Sequence, residues 1–357
     1  MAKQLMKGCE AVAEAAIRVG CRFFFGYPIT PQNDIPEYMA ARLPKEGGCF
    51  LQAESEVAAI NMVYGASGAG ARVMTSSSSP GISLKMEGIS YLAGAELPCV
   101  IVNMMRGGPG LGSIQASQGD YFQATKGGGH GDYHLVVFAP SSVQEAIDLM
   151  QEAFDIADMY RTPVMILADG IIGQMMEPVE FKENKSNRVL PKKDWATIGW
   201  SEKSDRPRAV INSLYIETEE LRDLNNRLQA RYAEIRAKET RVELYNTENA
   251  EVILCAYGTI ARICKSAIAL ARKEGINVGL IRPITVWPFP EKEVHDEIAK
   301  PNVKHAMVVE VNAGQMLEDV KLAVNGEKKV DFFGEPGSYV PSAEEIFEKI
   351  KEMRGRK

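Results

Sequence analysis

Short, continuous apolar runs alternate with longer helical stretches through residues 1–181. CRFFFGYP (21–28) predicts a strand entering a turn, and ARVMTSSSSPG (71–81) a strand followed by a polar loop. LPCVIVNMMRGGPG (97–110) predicts a buried strand ending in a Gly-rich loop, and TPVMILADG (162–170) is a continuous apolar run that also predicts a strand. Between them, VAAINMVYGASGAGA (57–71) has the Ala and Gly content of a closely packed helix. ISLKMEGISYLAGAE (82–96) and SVQEAIDLMQEAFDIADMY (142–160) carry helical periodicity. Strands that are apolar throughout are buried on both faces, which calls for a parallel sheet covered by helices on both sides. The pattern predicts a doubly wound α/β domain, with its sites in the loops beyond the carboxyl ends of the strands.

The pattern breaks over 182–248. KENKSNRVLPKKDW and SEKSDRPRA are polar and contain proline, and TEELRDLNNRLQARYAEIRAKETRVELY is charged with helical spacing. This predicts a charged linker with an exposed, solvated or subunit-contacting helix. A second α/β domain is expected over 249–357. AEVILCAYG reads as a strand, TIARICKSAIALARKEG as a helix, and INVGLIRPITVWPFP as a strand leaving into a Pro-rich loop. HAMVVEVNAGQMLEDVKLAV reads as strand, loop and helix.

A length of 357 residues suits two domains better than one. The net charge of -6 argues against nucleic-acid or membrane-surface partners, which need a basic face. No apolar run approaches the ~20 residues of a membrane span. The N-terminal stretch MAKQLMKGCEAVAEAAIRVG lacks a signal peptide's apolar core, so the expected location is the cytoplasm. None of the six cysteines forms a CxxC pair, and His130, His134, His295 and His305 show no metal-ligand spacing. The thiols are expected to be reduced and mostly buried, with no metal or cluster held by this chain alone.

Several loops carry candidate chemistry. Tyr27-Pro28-Ile29-Thr30-Pro31 follows the first strand, and its prolines hold Thr30 in a non-helical conformation. The Thr30 hydroxyl either bonds a bound carbonyl or carboxylate or caps the next helix. Glu54-Ser55-Glu56 opens the Ala/Gly helix, where a carboxylate is either a dipole partner or a buried group facing a cofactor. Ser76 to Gly81 lies between strand and helix and can receive a polar ligand, but it is neither GxxxxGK[ST] nor GxGxxG. Arg106 closes an apolar strand, as an ion-pair partner or as a carboxylate clamp.

Together these segments resemble the alpha-type subunits of the 2-oxoacid:ferredoxin oxidoreductases. The likeness rests on GCRFFFGYPITPQNDIPEYM (20–39), the run from Glu54 to Gly110, IRPITVWPFP (281–290) and VVEVNAGQM (308–316). The variant FGYPITPQNDIPEYM looks most like the branched-chain subgroup, which acts on 3-methyl-2-oxobutanoate (2-oxoisovalerate).

The resemblance implies a thiamine diphosphate pyrimidine-binding domain over 1–181, then a transketolase C-terminal-like domain over 249–357. It implies that Glu56, with Gly65 nine residues on, is the carboxylate for the cofactor's pyrimidine ring. It places Tyr27, Pro28, Ile29, Ser79, Pro80 and Gly81 beside the cofactor, and Thr30 and Arg106 at the substrate's oxo-acid end. The GDG motif of thiamine enzymes is missing, and Ala168-Asp169-Gly170 is the nearest approach. The diphosphate and Mg2+ are therefore expected on a beta-type partner subunit. The 4Fe-4S clusters are expected on partner subunits too, of beta and gamma/delta type.

The implied reaction is oxidative decarboxylation of a branched-chain 2-oxoacid to its acyl-coenzyme A, with electrons passed to ferredoxin. The alternatives are 2-oxoglutarate as substrate, a scaffolding subunit that lost its chemistry, and a self-sufficient transketolase-like enzyme.

Overall fold

A computed structural model describes residues 3–182 and 188–355. The polar stretch read across the start of the linker falls partly on 183–187, outside the described residues.

The first part of the chain runs β1 (Gln4–Lys7), α1 (Gly8–Arg18), β2 (Phe23–Gly26), α2 (Asp34–Arg42), β3 (Cys49–Gln52), α3 (Glu56–Gly68), β4 (Val73–Ser77) and α4 (Ser79–Gly94). It continues as β5 (Cys99–Gly107), β6 (Ser113–Ala116), α5 (Tyr121–Thr125), β7 (Val136–Phe138), α6 (Val143–Tyr160), β8 (Pro163–Asp169), α7 (Gly170–Gln174) and β9 (Met176–Val179). The rest runs α8 (Thr218–Glu239), β10 (Val242–Tyr245), β11 (Val252–Cys255), α9 (Gly258–Lys273), β12 (Val278–Pro283) and β13 (Thr285–Trp287). It ends with α10 (Glu291–Ile298), β14 (His305–Glu310), α11 (Gln315–Val324), β15 (Val330–Gly334) and α12 (Ala343–Gly355).

The larger sheet has the order β13-β7-β8-β5-β4-β2-β3, with β6 paired to β5. The run from β7 to β3 is parallel. Every residue of β4, β5 and β8 is buried. This is the consequence of helices on both faces: α3 packs on α4, and α1 packs on α6 and α2 as a separate layer. The smaller sheet has the order β10-β12-β11-β14-β15, covered in part by α9 and α12. The fold is a mixed, mostly parallel α/β architecture, as the apolar runs predict.

The structure departs from the sequence reading in four places. Gln4–Lys7 is a strand that pairs antiparallel with Met176–Val179, outside both large sheets. The segment RVELY does not extend the charged helix: α8 ends at Glu239, and Val242–Tyr245 pairs antiparallel with β12. Helix α8 is exposed on one side only, because Leu224, Leu228, Tyr232 and Ile235 bury a seam in the main core.

The Pro-rich loop after β12 contains β13, which leaves the smaller sheet and pairs antiparallel with β7 at the edge of the larger one. Trp287 anchors that crossing. It stacks on His134 with ring centroids 4.5 Å apart and meets Tyr232 of α8 edge-on at 5.6 Å.

Residues 117–126 bind the two halves together. Gln118 donates from Nε2 to the Tyr257 carbonyl at 3.0 Å, accepts from the Val311 amide at 3.1 Å, and its own amide donates to the Val311 carbonyl at 3.0 Å. Tyr121 donates to Asp319 at 2.5 Å, and Lys126 pairs with the same carboxylate. On the far side Glu310 accepts from the Met316 and Leu317 amides at 2.8 and 3.0 Å and so holds the start of α11.

Candidate active site

The site is built where β2, β4 and β5 end and α3 and α4 begin, as expected for a parallel sheet. Ser55 caps α3 through its hydroxyl, which accepts from the Ala58 amide at 3.2 Å. That cap fixes the turn, so Glu54 lies exposed while Glu56, the first helical residue, is only 6% exposed. Position alone would allow either carboxylate; burial selects Glu56.

Its surroundings are shaped by Gly81 on α4. A Cβ at residue 81 would lie 2.6 Å from Glu56 Oε1 and 3.0 Å from its Cγ, and inside the contact radius of Ser77 Oγ. Glycine is therefore required there so that the carboxylate can lie against the backbone of α4.

The Tyr27–Pro31 turn is tied to the same strand ends. Gln32, fully buried, donates to the Tyr27 carbonyl at 3.3 Å and accepts from Ser76 Oγ at 2.5 Å. Tyr27, Pro28 and Thr30 are exposed and Ile29 is half-buried. Among the described residues the Thr30 hydroxyl accepts only a long bond from Asn33 Nδ2, 3.4 Å, so it does not cap the next helix.

Arg106 is 8% exposed and lies against this turn. Its Nη1 donates to the Thr30 carbonyl at 3.0 Å and its Nη2 to the Leu111 carbonyl at 2.9 Å. It thus clamps the YPITP turn to the Gly-rich loop after β5. Its buried Nε has no partner among the described residues. Ser79, at the start of α4, bonds the Arg106 amide at 3.0 Å and donates to Asp120 at 2.6 Å. Burial raises the pKa of Asp120, and its bonds from Ser79 and Asn103 partly offset that rise.

The structure therefore brings Thr30, Arg106, Ser79 and Asp120 into one bonded chain, with Gly81 two residues after Ser79 on α4 and Glu56 of α3 against it. Sequence reasoning missed Gln32, Asp120 and Lys85. Asp120 sits in an irregular loop without a motif. Lys85 had a signal: it falls four residues after Gly81 on the buried face of α4 and is fully buried. His130 lies elsewhere; its carbonyl accepts from Ser90 at the far end of α4.

Residues beneath the site are polar and unsatisfied. Thr75 Oγ1, Ser77 Oγ, Ser78 Oγ, Asn103 Oδ1 and Lys85 Nζ are buried without hydrogen-bond partners among the described residues. Such orphans are rare in a finished site and mark room for further polar groups. A buried carboxylate, a glycine cradle and unpaired hydroxyls fit an aminopyrimidine ring, which needs an acceptor, a donor and close backbone approach.

Asp169 does not fit a metal. Its Oδ1 accepts from the Ile171 and Ile172 amides at 2.9 and 3.1 Å, so the carboxylate is spent on capping α7. No group of three or more His, Cys, Asp or Glu suited to a metal ion occurs among the described residues. Five of the six cysteines are buried and Cys49 is exposed. No helix of the described residues is long and apolar enough to cross a membrane.

Thr30 also opens on a cavity of about 540 Å3. Pro31, Ile114, Ala116, Ile171 and Met175 contribute apolar walls. Lys7, also on its wall, is already paired with Asp34 at 3.1 Å.

Residues 14–239 match the family model described as pyruvate flavodoxin/ferredoxin oxidoreductase, thiamine diphosphate-binding, and residues 250–346 match the pyruvate:ferredoxin oxidoreductase core domain II. The ketoisovalerate oxidoreductase subunit VorB of Methanothermobacter thermautotrophicus is 48% identical over 355 residues, covering 99% of each chain. The 2-oxoglutarate synthase subunit KorA of Methanothermobacter marburgensis is 37% identical over 372 residues, covering 98% of each chain.

Among solved structures, a 2-oxoglutarate:ferredoxin oxidoreductase from Magnetococcus marinus superposes with a TM-score of 0.84 at 26% identity. That superposition spans 98% of this chain but 65% of the other, so the solved chain is substantially longer. That structure holds 2-oxoglutarate, coenzyme A and succinyl-CoA. A split-gene transketolase shares the fold at a TM-score of 0.62 and 13% identity. The chain belongs to the pyruvate flavodoxin/ferredoxin oxidoreductase family, as a thiamine diphosphate-binding oxidoreductase subunit.

Proposed function

We propose that this chain supplies the pyrimidine half of the thiamine diphosphate site in a 2-oxoacid:ferredoxin oxidoreductase acting on a branched-chain 2-oxoacid, 3-methyl-2-oxobutanoate. The observation that carries the reading is the buried Glu56 carboxylate lying against Gly81, on the strand-end edge that also holds Arg106 and Thr30. Thiamine diphosphate bound there supplies the attacking carbon and the electron sink for decarboxylation.

Glu56 shares a proton with the ring nitrogen facing it, and burial strengthens that shared bond. The Thr30 hydroxyl, nearly unpartnered, donates to the substrate's oxo-acid end. Arg106 orients that hydroxyl by holding the Thr30 carbonyl, and its free Nε is the donor left for a carboxylate. Ser79 and Asp120 hold the start of α4 and the Arg106 backbone in register. Tyr27, Pro28, Ile29 and Pro80 shape the approach.

The cavity beside Thr30 sets the apolar side chains of Ile114, Ala116, Ile171 and Met175 among polar ones, and that apolar wall favours a branched substrate over 2-oxoglutarate. A second carboxylate would need an unspent cation there, and Lys7 is taken by Asp34. The KorA relatives are the more distant of the two groups reported above, which points the same way.

The diphosphate and Mg2+ are assigned to a beta-type subunit. The 4Fe-4S clusters are assigned to beta- and gamma/delta-type subunits that pass electrons to ferredoxin, with coenzyme A as acyl acceptor, in the cytoplasm.

The test is reconstitution with the partner subunits and a 2-oxoacid panel. Glu56→Gln is expected to abolish turnover of 3-methyl-2-oxobutanoate while the complex still assembles. Undiminished turnover would leave a scaffold. Turnover by the isolated chain would leave a self-sufficient enzyme.

A further inference from the structure

The segment VVEVNAGQM (308–316) has no part in the site as built so far, although it lies against the loop that carries Asp120. Its turn between β14 and α11 is organised by Asn312, which is buried. Asn312 Oδ1 accepts from the Gly314 and Gln315 amides at 2.7 and 3.1 Å, and its Nδ2 donates to the Gln118 carbonyl at 2.9 Å. Gly314 takes φ +98°, a conformation that a side chain would strain. The turn thereby presents Gln315, the first residue of α11, to the first half of the chain.

Gln315 grips the Asp120 turn from both sides. Its Nε2 donates to the Gly119 carbonyl at 2.8 Å, and its Oε1 accepts from the Phe122 amide at 2.7 Å. Phe122 lies in the first turn of α5, and Asp120 is the residue that opens that helix. An aspartate in that place ordinarily turns its carboxylate onto the first amides of its own helix. Asp120 makes no such bond. Gln315 occupies the Phe122 amide instead, and the Asp120 carboxylate accepts from Ser79 at 2.6 Å and from Asn103 at 2.9 Å. Ser79 accepts from the Arg106 amide at 3.0 Å, and Arg106 holds the Thr30 carbonyl at 3.0 Å.

We propose that Gln315 is a positioning residue for the oxo-acid end of the site: by capping α5 in place of Asp120, it leaves the Asp120 carboxylate to hold Ser79 and, through it, Arg106. The inference rests on the role proposed above for Arg106 and Thr30 toward the substrate.

Two positions of one carboxylate compete. With Gln315 in place the Phe122 amide is satisfied, and Asp120 is available to Ser79. Without it the amide needs an acceptor, and the carboxylate two residues earlier is placed to supply one. Ser79 then loses its acceptor, and the backbone of Arg106 loses its fixed register. The second half of the chain thus governs the geometry of loops that belong to the first.

The test variant is Gln315→Ala. A crystal structure of the full chain should show the Asp120 carboxylate turned onto the Phe122 amide and out of hydrogen-bond reach of Ser79. In the complex reconstituted with the proposed partner subunits, kcat/KM for 3-methyl-2-oxobutanoate should fall by about 10- to 100-fold. The melting temperature should fall only slightly, because the Phe122 amide exchanges one acceptor for another. Gln315→Glu keeps an acceptor at the start of α5, where the helix dipole also favours a carboxylate, and should retain most of the activity. In an Asp120→Ala background, Gln315→Ala should cost no more than about twofold in kcat/KM, since its effect runs through Asp120.

An Asp120 carboxylate still on Ser79 in Gln315→Ala would overturn the proposal. So would losses that multiply in the double variant, or a lowered melting temperature with native kcat/KM, the signature of a merely structural glutamine. Glu56→Gln separates the two layers: native turnover in that variant removes the function proposed above, while the crystal structure of Gln315→Ala still decides whether Gln315 governs Asp120.

Discussion

Gly81→Ala tests whether the Glu56 carboxylate must lie where the structure puts it. The new methyl would stand 2.6 Å from Glu56 Oε1 and overlap Ser77 Oγ, while the backbone of α4 would accept alanine without strain. Two stability effects oppose each other. Overpacking costs about 1–3 kcal/mol. Alanine in place of glycine inside a helix returns about 1 kcal/mol. The net loss should be about 0–2 kcal/mol, small enough for a folded chain.

The effect on the site is larger. Glu56 must yield by about an ångström, and a misplacement of that size in a positioned catalytic group costs on the order of 10²-fold in turnover. Gly88→Ala is the control. It crowds Ile60 at the same α3–α4 crossing, two helical turns from Gly81. Thermal melting and steady-state kinetics of both reconstituted variants decide the matter. Gly81→Ala should melt near the native temperature with strongly reduced kcat; Gly88→Ala should melt lower with kcat nearly intact. Equal activity losses, or Gly81→Ala within about twofold of native, would refute the geometry, since a tenfold change is only 1.4 kcal/mol.

Gln118→Ala removes two side-chain bonds that join the halves and strands the Val311 amide, while the Tyr257 carbonyl keeps the Ala261 amide at 3.3 Å. It should cost about 1–3 kcal/mol, seen as a lower denaturant midpoint. Burial pushes Glu310 up to about 7. The folded chain then keeps a proton that the unfolded chain releases, so this group's stabilisation is full below about pH 4.5 and is lost as pH rises to about 7, by up to about 3 kcal/mol. Glu310→Gln should flatten the melting temperature over that window. Gly65→Ala meets nothing within 4 Å and should raise the melting temperature of the isolated chain by adding about 1 kcal/mol of helix propensity.

The Gly65 result bears on how much the sequence could say. The nine-residue spacing from Glu56 runs along α3, yet no packing in this chain requires a glycine at its end. The requirement sits at Gly81 instead, a contact between two helices that no one-dimensional spacing displays.

Although β4, Val-Met-Thr-Ser-Ser, is apolar only at its start, the parallel sheet was legible because β8 and most of β5 are continuous apolar runs, the pattern that burial on both faces demands. β13 was not: three residues between prolines carry no period, and their place is set by Trp287 stacking on His134, far away in sequence. The seam of α8 was hidden by its charge. Leu224, Leu228, Tyr232 and Ile235 are four buried positions in a helix whose other residues, apart from Leu221 and three alanines, are charged or polar. Arg106 was legible as a donor at a strand end, but not as a clamp on Thr30, because the two meet only through the fold.

These pieces share one physical feature: the strand-end edge is polar and left with unsatisfied donors and acceptors. A site complete within one chain would pair Thr75, Ser77, Ser78 and Asn103 as Gln32 and Ser76 are paired, since each buried orphan costs about 1–3 kcal/mol. Around it the surface is apolar where solvent would favour polar residues: Tyr27, Val57 and Leu84 are 36, 45 and 54% exposed. Val57 follows Glu56 on α3, and Leu84 precedes Lys85 on α4.

Buried polar orphans ringed by exposed apolar side chains are what half of a shared site requires. On the function proposed above, the orphans would meet the cofactor's polar ring, and the apolar rim would gain by excluding water as a second subunit closed over it. Val57→Asp and Leu84→Asp should therefore leave the isolated chain's melting unchanged while weakening assembly with the proposed beta-type subunit, read by sedimentation. Both changes face solvent in this chain, so assembly at native affinity would locate the second subunit on another face and leave the orphaned edge without its explanation.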